Sequence, residues 1–512
     1  MGRGRVRSFL VLALLAVLSA CSRGTPSGRD PGTIVFLIET YPASLDPRIA
    51  TDAQSQYIQG LLFNSLVRRN ARMEVVPDLA TRWEIRDPRT YVFHLRPGVR
   101  FHDGRPLTAA DVRYTFESLL SGKVVSVKAT VFQDIQTIET PDPQTVIFRL
   151  KEPFAAFLWN LVLPGMGIVP DGSGKEFARK PVGSGPYRFL GSKQEEEIVV
   201  ERNPAYFREL PKIERVRFRV VPEAITRALE LARGSGDIAL NSLAPDMIPV
   251  LAKNSALRTT QSPGTAYAYI AMNLDDPILA RREVRQALAY AIDRPAILRS
   301  LFRGQGRLAD NILPPNHWAY EADIRRYHYD PDRARALLDA ARLPPDQHGV
   351  RFTLTIKTST EESSRLLAAV LQEQLSTVGI RLEIRSLEFA TFYSDITRGS
   401  FQLYTLRWIG GNNDPDILDY AFHSARIPPR GANRGHFRNA EVDGWLASAR
   451  SEADLAKQKV YYSRIQKMLA EDLPYISLWY LDNVAVTQKR LGYPQLDPGG
   501  NFDFLETLKW EP

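Results

Sequence analysis

The sequence predicts an α/β fold built as more than one lobe, and three observations lead there. At 512 residues the chain exceeds what a single hydrophobic core ordinarily serves. Alternating stretches recur around stretches of helical spacing, as in 216–221, 226–233 and 236–240, which is the strand–helix–strand rhythm of α/β proteins. A content of 44% hydrophobic and 24% charged residues is that of a globular chain, neither disordered nor fibrous.

Charge and cysteine usage narrow the function classes. The formal net charge is +8, and Arg3, Arg5 and Arg7 supply three of those charges before any acid occurs. Elsewhere acids and bases are interspersed, which describes a solvated surface and excludes a nucleic-acid partner. The single cysteine, Cys21, allows no disulfide framework and no thiolate metal site. It follows the basic start and an apolar run at 9–18 that is too short for an ordinary membrane span. Leu18-Ser19-Ala20-Cys21 resembles the bacterial lipobox. That resemblance implies a signal peptide at 1–20, lipid on the Cys21 sulfur and a mature chain held at a membrane. A plain secretion signal with an incidental cysteine is the other reading. Residues 21–32 are rich in Gly, Ser, Pro and charge, the composition of a flexible tether. The mature body is expected to be soluble, extracytoplasmic and tethered by lipid alone.

Taken in order, 33–38 is an apolar strand, and Tyr41 to Pro47 is a loop with two prolines. Residues 52–66 read as a helix with an apolar face at Ile58, Leu61, Leu62 and Leu66. In 92–120 an alternating strand gives way to turns at Pro97-Gly98 and 102–106. Thr108 and Asp111 then form the capping pair of a new helix. A strand at 145–150 and an apolar stretch at 154–163 follow. In Pro181-Val-Gly183-Ser184-Gly185-Pro186-Tyr187 the glycines permit backbone shapes that side chains forbid. Ser184 lacks the flanking pattern of a nucleophile elbow or a phosphate loop. Residues 282–302 form an apolar helical stripe broken near Pro295. Asp330 caps a helix with Pro331 in its first turn. A clean amphipathic helix at 363–378 ends at Gly379, and Ile380, Leu382 and Ile384 alternate as a strand.

Several of these segments resemble one family. Pro77-Asp78-Leu79-Ala80, Trp83-Glu84 and the whole of 92–120 are similar to the signature of the family 5 solute-binding proteins. These are the dipeptide, oligopeptide and nickel receptors of ATP-binding-cassette importers. Leu45-Asp46-Pro47, the Gly183-Ser184-Gly185-Pro186-Tyr187 turn and the helix from Val284 through Asp293-Arg294 fit the same family. The resemblance runs from about Thr33 to Trp510. It implies a periplasmic-binding-protein-like clamshell of two lobes with an additional third domain. By analogy lobe I combines 33–52, 180–262 and 485–512, lobe II is inserted at 53–179, and lobe III spans 263–484.

No catalytic or metal constellation emerges. Among the seven histidines none forms an HExxH or a helical i,i+4 pair, so no metal site and no cofactor are expected. Asp414-Pro415-Asp416 invites a hydrolase reading with paired carboxylates, but resembles the family's acidic turn. Tyr404 to Asp416 is the stronger candidate. Trp408 offers a stacking face and one donor, and Gly410 and Gly411 let a ligand approach the backbone. Core packing is the alternative for Trp408. The resemblance implies that this loop, with Arg407 and Asp414, lines the ligand pocket. It also points to Tyr267, Tyr269 and Asn273 at the crossing between lobes, Tyr41 and Thr51 at the first cleft loop, and Trp479 at the return crossing. His423 also belongs to this candidate set. A core position suits each of the others equally, and a solvent-facing position is the default for His423. Arg434 has a fork that fits a carboxylate, though surface exposure is the commoner fate. Peptide-binding members carry an aspartate where Gly411 stands, which leaves modified peptides, sugars, opine-like compounds and metal chelates open beside peptides. The expected protein is a monomeric, lipid-anchored receptor. It takes a small or peptide-like solute and delivers it to an ABC permease. An extracytoplasmic hydrolase and a non-transporting sensor or chaperone are the alternatives.

Overall fold

The computed structural model describes residues 32–50, 52–70, 74–154, 157–162, 166–409, 414–452 and 454–511. In chain order the strands are β1 Thr33–Ile38, β2 Val67–Arg69, β3 Val75–Pro77, β4 Ala80–Asp87, β5 Thr90–Leu95, β6 Ile135–Asp142 and β7 Thr145–Leu150. They continue with β8 Tyr187–Lys193, β9 Glu197–Arg202, β10 Arg215–Val220, β11 Ile238–Leu240, β12 Leu257–Met272, β13 Gly306–Leu308, β14 Phe352–Ser359, β15 Ile380–Leu387, β16 Leu403–Trp408 and β17 Tyr475–Gln488. One mixed sheet runs β15-β14-β16-β12-β17-β11-β1-β10-β9-β8, with β13 also on β17. A separate antiparallel sheet, β4-β5-β7-β6, carries its own apolar core with the helix Ala109–Leu120.

The large sheet has two halves that meet only through β12 and β17 among the described residues. The first part of β12, Leu257 to Ser262, pairs with Gln488 to Asn483, whose other edge holds β11. The second part pairs with Leu481 to Tyr475 and carries β16 on its far edge. Between them the register shifts, at Ser262 to Ala266. A second shift places Leu478 as an extra residue opposite Ala268 and Tyr269. A bulge of this kind reverses which side chains face which side. Consequently Tyr475 and Tyr480, one odd and one even, share a core with Tyr267 and Tyr269. Ile476, Leu478 and Trp479 face the opposite core.

Local chemistry explains the helix bounds. In the helix Ala53–Leu62, Asp52 accepts from the Ser55 N–H at 2.9 Å. The helix stops at Leu62 rather than continuing to 66, because the chain turns extended at Phe63 and Asn64 leaves to donate to Asp78 at 3.1 Å. Asp111 Oδ2 accepts from the Thr108 N–H at 2.8 Å and the Thr108 hydroxyl at 3.0 Å, closing the expected cap. The stripe at 282–302 is two helices, Arg282–Tyr290 and Arg294–Leu301. Asp293 caps the second through the Ala296 N–H at 2.9 Å. Asp330 caps Pro331–Ala340 in the same way.

Gly183 and Gly185 are glycines for space and not for backbone shape, since neither adopts a left-handed conformation. A Cβ on Gly183 would lie 1.9 Å from the Leu62 carbonyl oxygen. The turn presses against the end of the helix Ala53–Leu62, where Gly185 N–H donates to that same oxygen at 3.0 Å. His102 clasps the turn from the other side. Its backbone N–H donates to Gly183 O at 2.8 Å, its Nδ1 accepts from Gly183 N–H at 3.2 Å, and its Nε2 meets Gly185 O at 3.2 Å. Burial lowers the imidazole to about 4, so it stays neutral and structural. Ser184 is buried and donates to Asn64 at 3.2 Å. This contact predicts that Gly183→Ala lowers stability by about 1–3 kcal/mol. By contrast Gly444→Ala, on an exposed helix position with open space around it, raises stability by about 1 kcal/mol. Melting curves of the two variants compared with the parent check both signs.

Candidate functional site

Three neighbouring strands assemble an aromatic cluster. The register sets Tyr267 beside Trp408 and Tyr480, and Ala271 beside Tyr404 and Tyr475. Alternation aims Tyr267, Tyr269, Tyr404 and Trp408 to one face. Tyr269 stacks on Tyr475 at 4.3 Å and parallels Trp408 at 6.4 Å, while Tyr404 meets it edge-on at 6.0 Å. The tyrosines at 269, 404 and 475 are buried, and Trp408 is half-buried. Trp408 ends β16, so its indole direction is set by the sheet and not by a loop.

Arg434 enters this cluster from the segment after the helix Ile417–Phe422. Asn433 builds the turn, donating to His423 O at 3.1 Å and Phe437 O at 2.8 Å, and accepting from Phe437 N–H at 2.9 Å. Its neighbour Arg434 is thereby turned inward and is only 6% exposed. This corrects the surface position expected from composition, since a turn residue usually faces water. The guanidinium lies 5.2 Å from the Tyr393 ring and 5.7 Å from the Trp408 ring. Nη2 donates to the Tyr393 hydroxyl at 3.0 Å. Among the described residues Nε and Nη1 have no acceptor, and the hydroxyls of Tyr269, Tyr404 and Tyr475 and the indole N–H of Trp408 are likewise buried without a partner. The hydroxyls of Tyr269 and Tyr475 converge on that of Tyr404 without reaching hydrogen-bond geometry. Burial pushes the hydroxyls of Tyr269 and Tyr475 well above the ordinary tyrosine value, so they remain neutral donors.

A cavity of about 300 Å³ lies on the other side of the same strand end. Ile409, next to Trp408, faces it, together with Tyr57 and Gly60 of the helix Ala53–Leu62, Arg69, Asp497 and Asp503. Arg69 and Asp497 approach to 3.6 Å across it. The volume is at the lower end for small-solute sites. Sequence reasoning missed these residues. The available signal was the polar face Gln56, Gly60 and Asn64, at helical spacing opposite the apolar stripe.

The remaining candidates separate. Tyr41 packs half-buried against the core around β1. Arg407 is exposed, as alternation from Trp408 requires. Asn273 is occupied structurally, donating to Gly399 O at 3.2 Å and Phe401 O at 3.0 Å. His423 accepts from Ala425 N–H at 3.0 Å and sits 3.7 Å from Asp443. Trp479 is no cleft residue. It is 1% exposed and packs on Phe302 at 4.9 Å, because the bulge at Leu478 turns it to the far face. Thr51, Gly410, Gly411 and Cys21 lie outside the described residues.

The profile of the bacterial extracellular solute-binding proteins, family 5 Middle, matches residues 74–428. The glutathione-binding protein GsiB of Pectobacterium atrosepticum is 30% identical over 502 residues, covering 96% of each chain. Among solved structures, the oligopeptide-binding protein AppA of Bacillus subtilis, in complex with a nonapeptide, superposes with a TM-score of 0.78 at 26% identity. That match covers 94% of this chain and 99% of the other. NikZ of Campylobacter jejuni, in complex with Ni(L-His), gives 0.81 at 26% identity, covering 94% and 100%.

The acidic turn after Trp408 is a folding device. Asp414 accepts from the Asp416 N–H at 2.9 Å, and Asp416 meets Arg450 at 3.3 Å just before the helix Ile417–Phe422. Burial and the adjacent Asp416 raise the Asp414 carboxyl well above its usual range, and burial raises Asp416 to about 6. Between about pH 4 and the raised values the folded turn keeps protons that the unfolded chain has released. It therefore costs stability as pH rises through that window. Asp414→Asn keeps the acceptor and cannot ionise. Its melting temperature is expected to exceed the parent's at pH 8 and to match it at pH 4, by calorimetry at the two pH values.

Proposed function

Because this chain belongs to family 5 of the bacterial extracellular solute-binding proteins, we propose that it captures a small, peptide-like solute between two lobes. It then hands that solute to the permease of an ABC importer, moored to the membrane by lipid on Cys21. The family is one of non-catalytic binding proteins, and the acidic turn is accounted for by folding, so no bond of the solute is made or broken. The carrying observation is that β12 and β17 join the two halves of the large sheet through a register shift at Ser262 to Ala266. A two-strand crossing with a bulge is where a hinge costs least, since few ladder bonds restrain it.

Lobe I is then 33–52, 180–262 and 485–512, lobe II is 53–179 and lobe III is 263–484. The solute occupies the space around Trp408 and Ile409, where lobe III faces the helix Ala53–Leu62 and the segment at 497–506. Contact with both sides is what lets a ligand favour the closed form, because only differential contact shifts the equilibrium. Two further contacts join segments assigned to lobes II and III. Arg450 lies 4.7 Å from the Phe154 ring, and Trp159 lies 6.4 Å from His317. The relatives' named ligands, a nonapeptide, a nickel–histidine chelate and glutathione, differ in size and share carboxylates.

A titration with glutathione, dialanine and nickel–histidine tests the reading by tryptophan fluorescence and small-angle scattering. At least one is expected to shift emission and contract the particle, and Trp408→Ala weakens that ligand about 30-fold. A chain that responds to none, and whose native mass carries no retained solute, overturns it. The anchor is tested separately. Cys21→Ser is expected to move the protein from the membrane fraction to the aqueous one.

A further inference from the structure

Five arginines of the described residues are buried, and four of them are saturated by the fold. Arg48 binds Asp46 and the Ser173 carbonyl. Arg227 donates to the carbonyls of Ser242, Val221 and Pro222. Arg285 donates to the carbonyls of Asp472, Leu279 and Ala280. Arg294 donates to those of Ala309, Ser477 and Tyr327. Arg434 is the exception. Its Nε and Nη1 have no acceptor, and among the described residues no carboxylate comes within ion-pair distance of it. Leaving a buried cation without an anion is strongly unfavourable, so the fold keeps this one at a cost to stability.

The neighbours sharpen the point. Trp408 Nε1 and the hydroxyls of Tyr269, Tyr404 and Tyr475 are equally without partners. The cluster therefore holds one positive charge, an indole N–H and three neutral hydroxyls, and among the described residues no anion. A carboxylate has two oxygens, accepts several donors at once, and matches the planar guanidinium fork. A single positive charge suits a monoanion better than a phosphate dianion. The approach is apolar and partly open. Phe389, Tyr420 and Tyr393 are 54%, 45% and 41% exposed on the side of the half-buried Trp408 that holds Arg434.

We infer that Arg434, with Trp408 and the hydroxyls of Tyr269, Tyr404 and Tyr475, is the seat of the solute's carboxylate. The solute body then lies across the aromatic ledge, toward the cavity at Ile409. This rests on the solute-binding reading above and names the chemical class within it: solutes bearing a free carboxylate.

The test compares full-length protein with Arg434→Met and Arg434→Lys, each stripped of bound solute by unfolding and refolding. Arg434→Met removes the unsatisfied charge and keeps most of the volume, so it is expected to melt about 2 °C higher than the parent. A lower melting temperature, or failure to refold, means the fold itself satisfies Arg434 and overturns the inference. Dialanine and its C-terminal amide are then titrated by tryptophan fluorescence. The parent is expected to prefer the acid by about 100-fold, Arg434→Lys to keep the charge but lose at least about tenfold, and Arg434→Met to show no preference. Equal binding of acid and amide by the parent overturns the carboxylate seat while leaving the solute-binding reading intact. Retained preference in Arg434→Met does the same. If neither probe binds, the solute-binding reading loses a peptide-like ligand, and the melting comparison alone decides the role of Arg434.

Discussion

Everything in this molecule is referred to the pairing of β12 with β17. These two strands are the shared spine of both halves of the large sheet, and their irregularities determine what each half can present. At the first irregularity the strands come so close that a Cβ on Gly264 would lie 2.2 Å from the Leu481 carbonyl oxygen, so only glycine fits there. At the second, one extra residue reverses the sidedness of β17. Without it Tyr475 and Tyr480 would point to opposite cores, and the tyrosine cluster under Trp408 would lose a member. A single inserted residue thus decides the composition of the recognition surface.

Much of the fold was legible because local signals and global packing agree. The capping pair Thr108 and Asp111, the Asp330-Pro331 start, Gly379 in the left-handed region, the strands β1 and β7 and the apolar alternation of β15 all stand where their chemistry implied. The misreadings share one cause, which is that the deciding contact is remote in sequence. The helix Ala53–Leu62 ends early because Asn64 leaves it to donate to Asp78, between β3 and β4. Gly183 reads as a conformational glycine until the Leu62 oxygen is seen beside it. Trp479 reads as a cleft aromatic until the bulge is known.

The site was legible as residue types and not as an arrangement. Trp408, Tyr267 and Tyr269 were picked out, and the sheet brings them together. Tyr404 and Tyr475 stood in the same motifs without being singled out as ligand groups. Their common face depends on register, which no single segment encodes. Arg434 shows the limit most plainly. Composition assigns an arginine in a Gly-Ala-Asn-Arg turn to the surface. The Asn433 side chain, bonded to His423 O and to Phe437 O, reverses that by folding the turn back on itself.

In the proposed reading, the strand end at Trp408 and Ile409 lets one short segment serve both recognition and closure. Consecutive residues of an extended chain point to opposite sides, so Trp408 faces the tyrosines and Arg434 while Ile409 faces the cavity bordered by the helix Ala53–Leu62 and Asp497. A solute held at Trp408 therefore lies one residue from surfaces that belong to the other half of the sheet. A solute that reaches past the strand end from Trp408 to Ile409 then touches both sides. Differential affinity for a closed form requires that condition, and here backbone alternation supplies it without any dedicated linkage between distant sites.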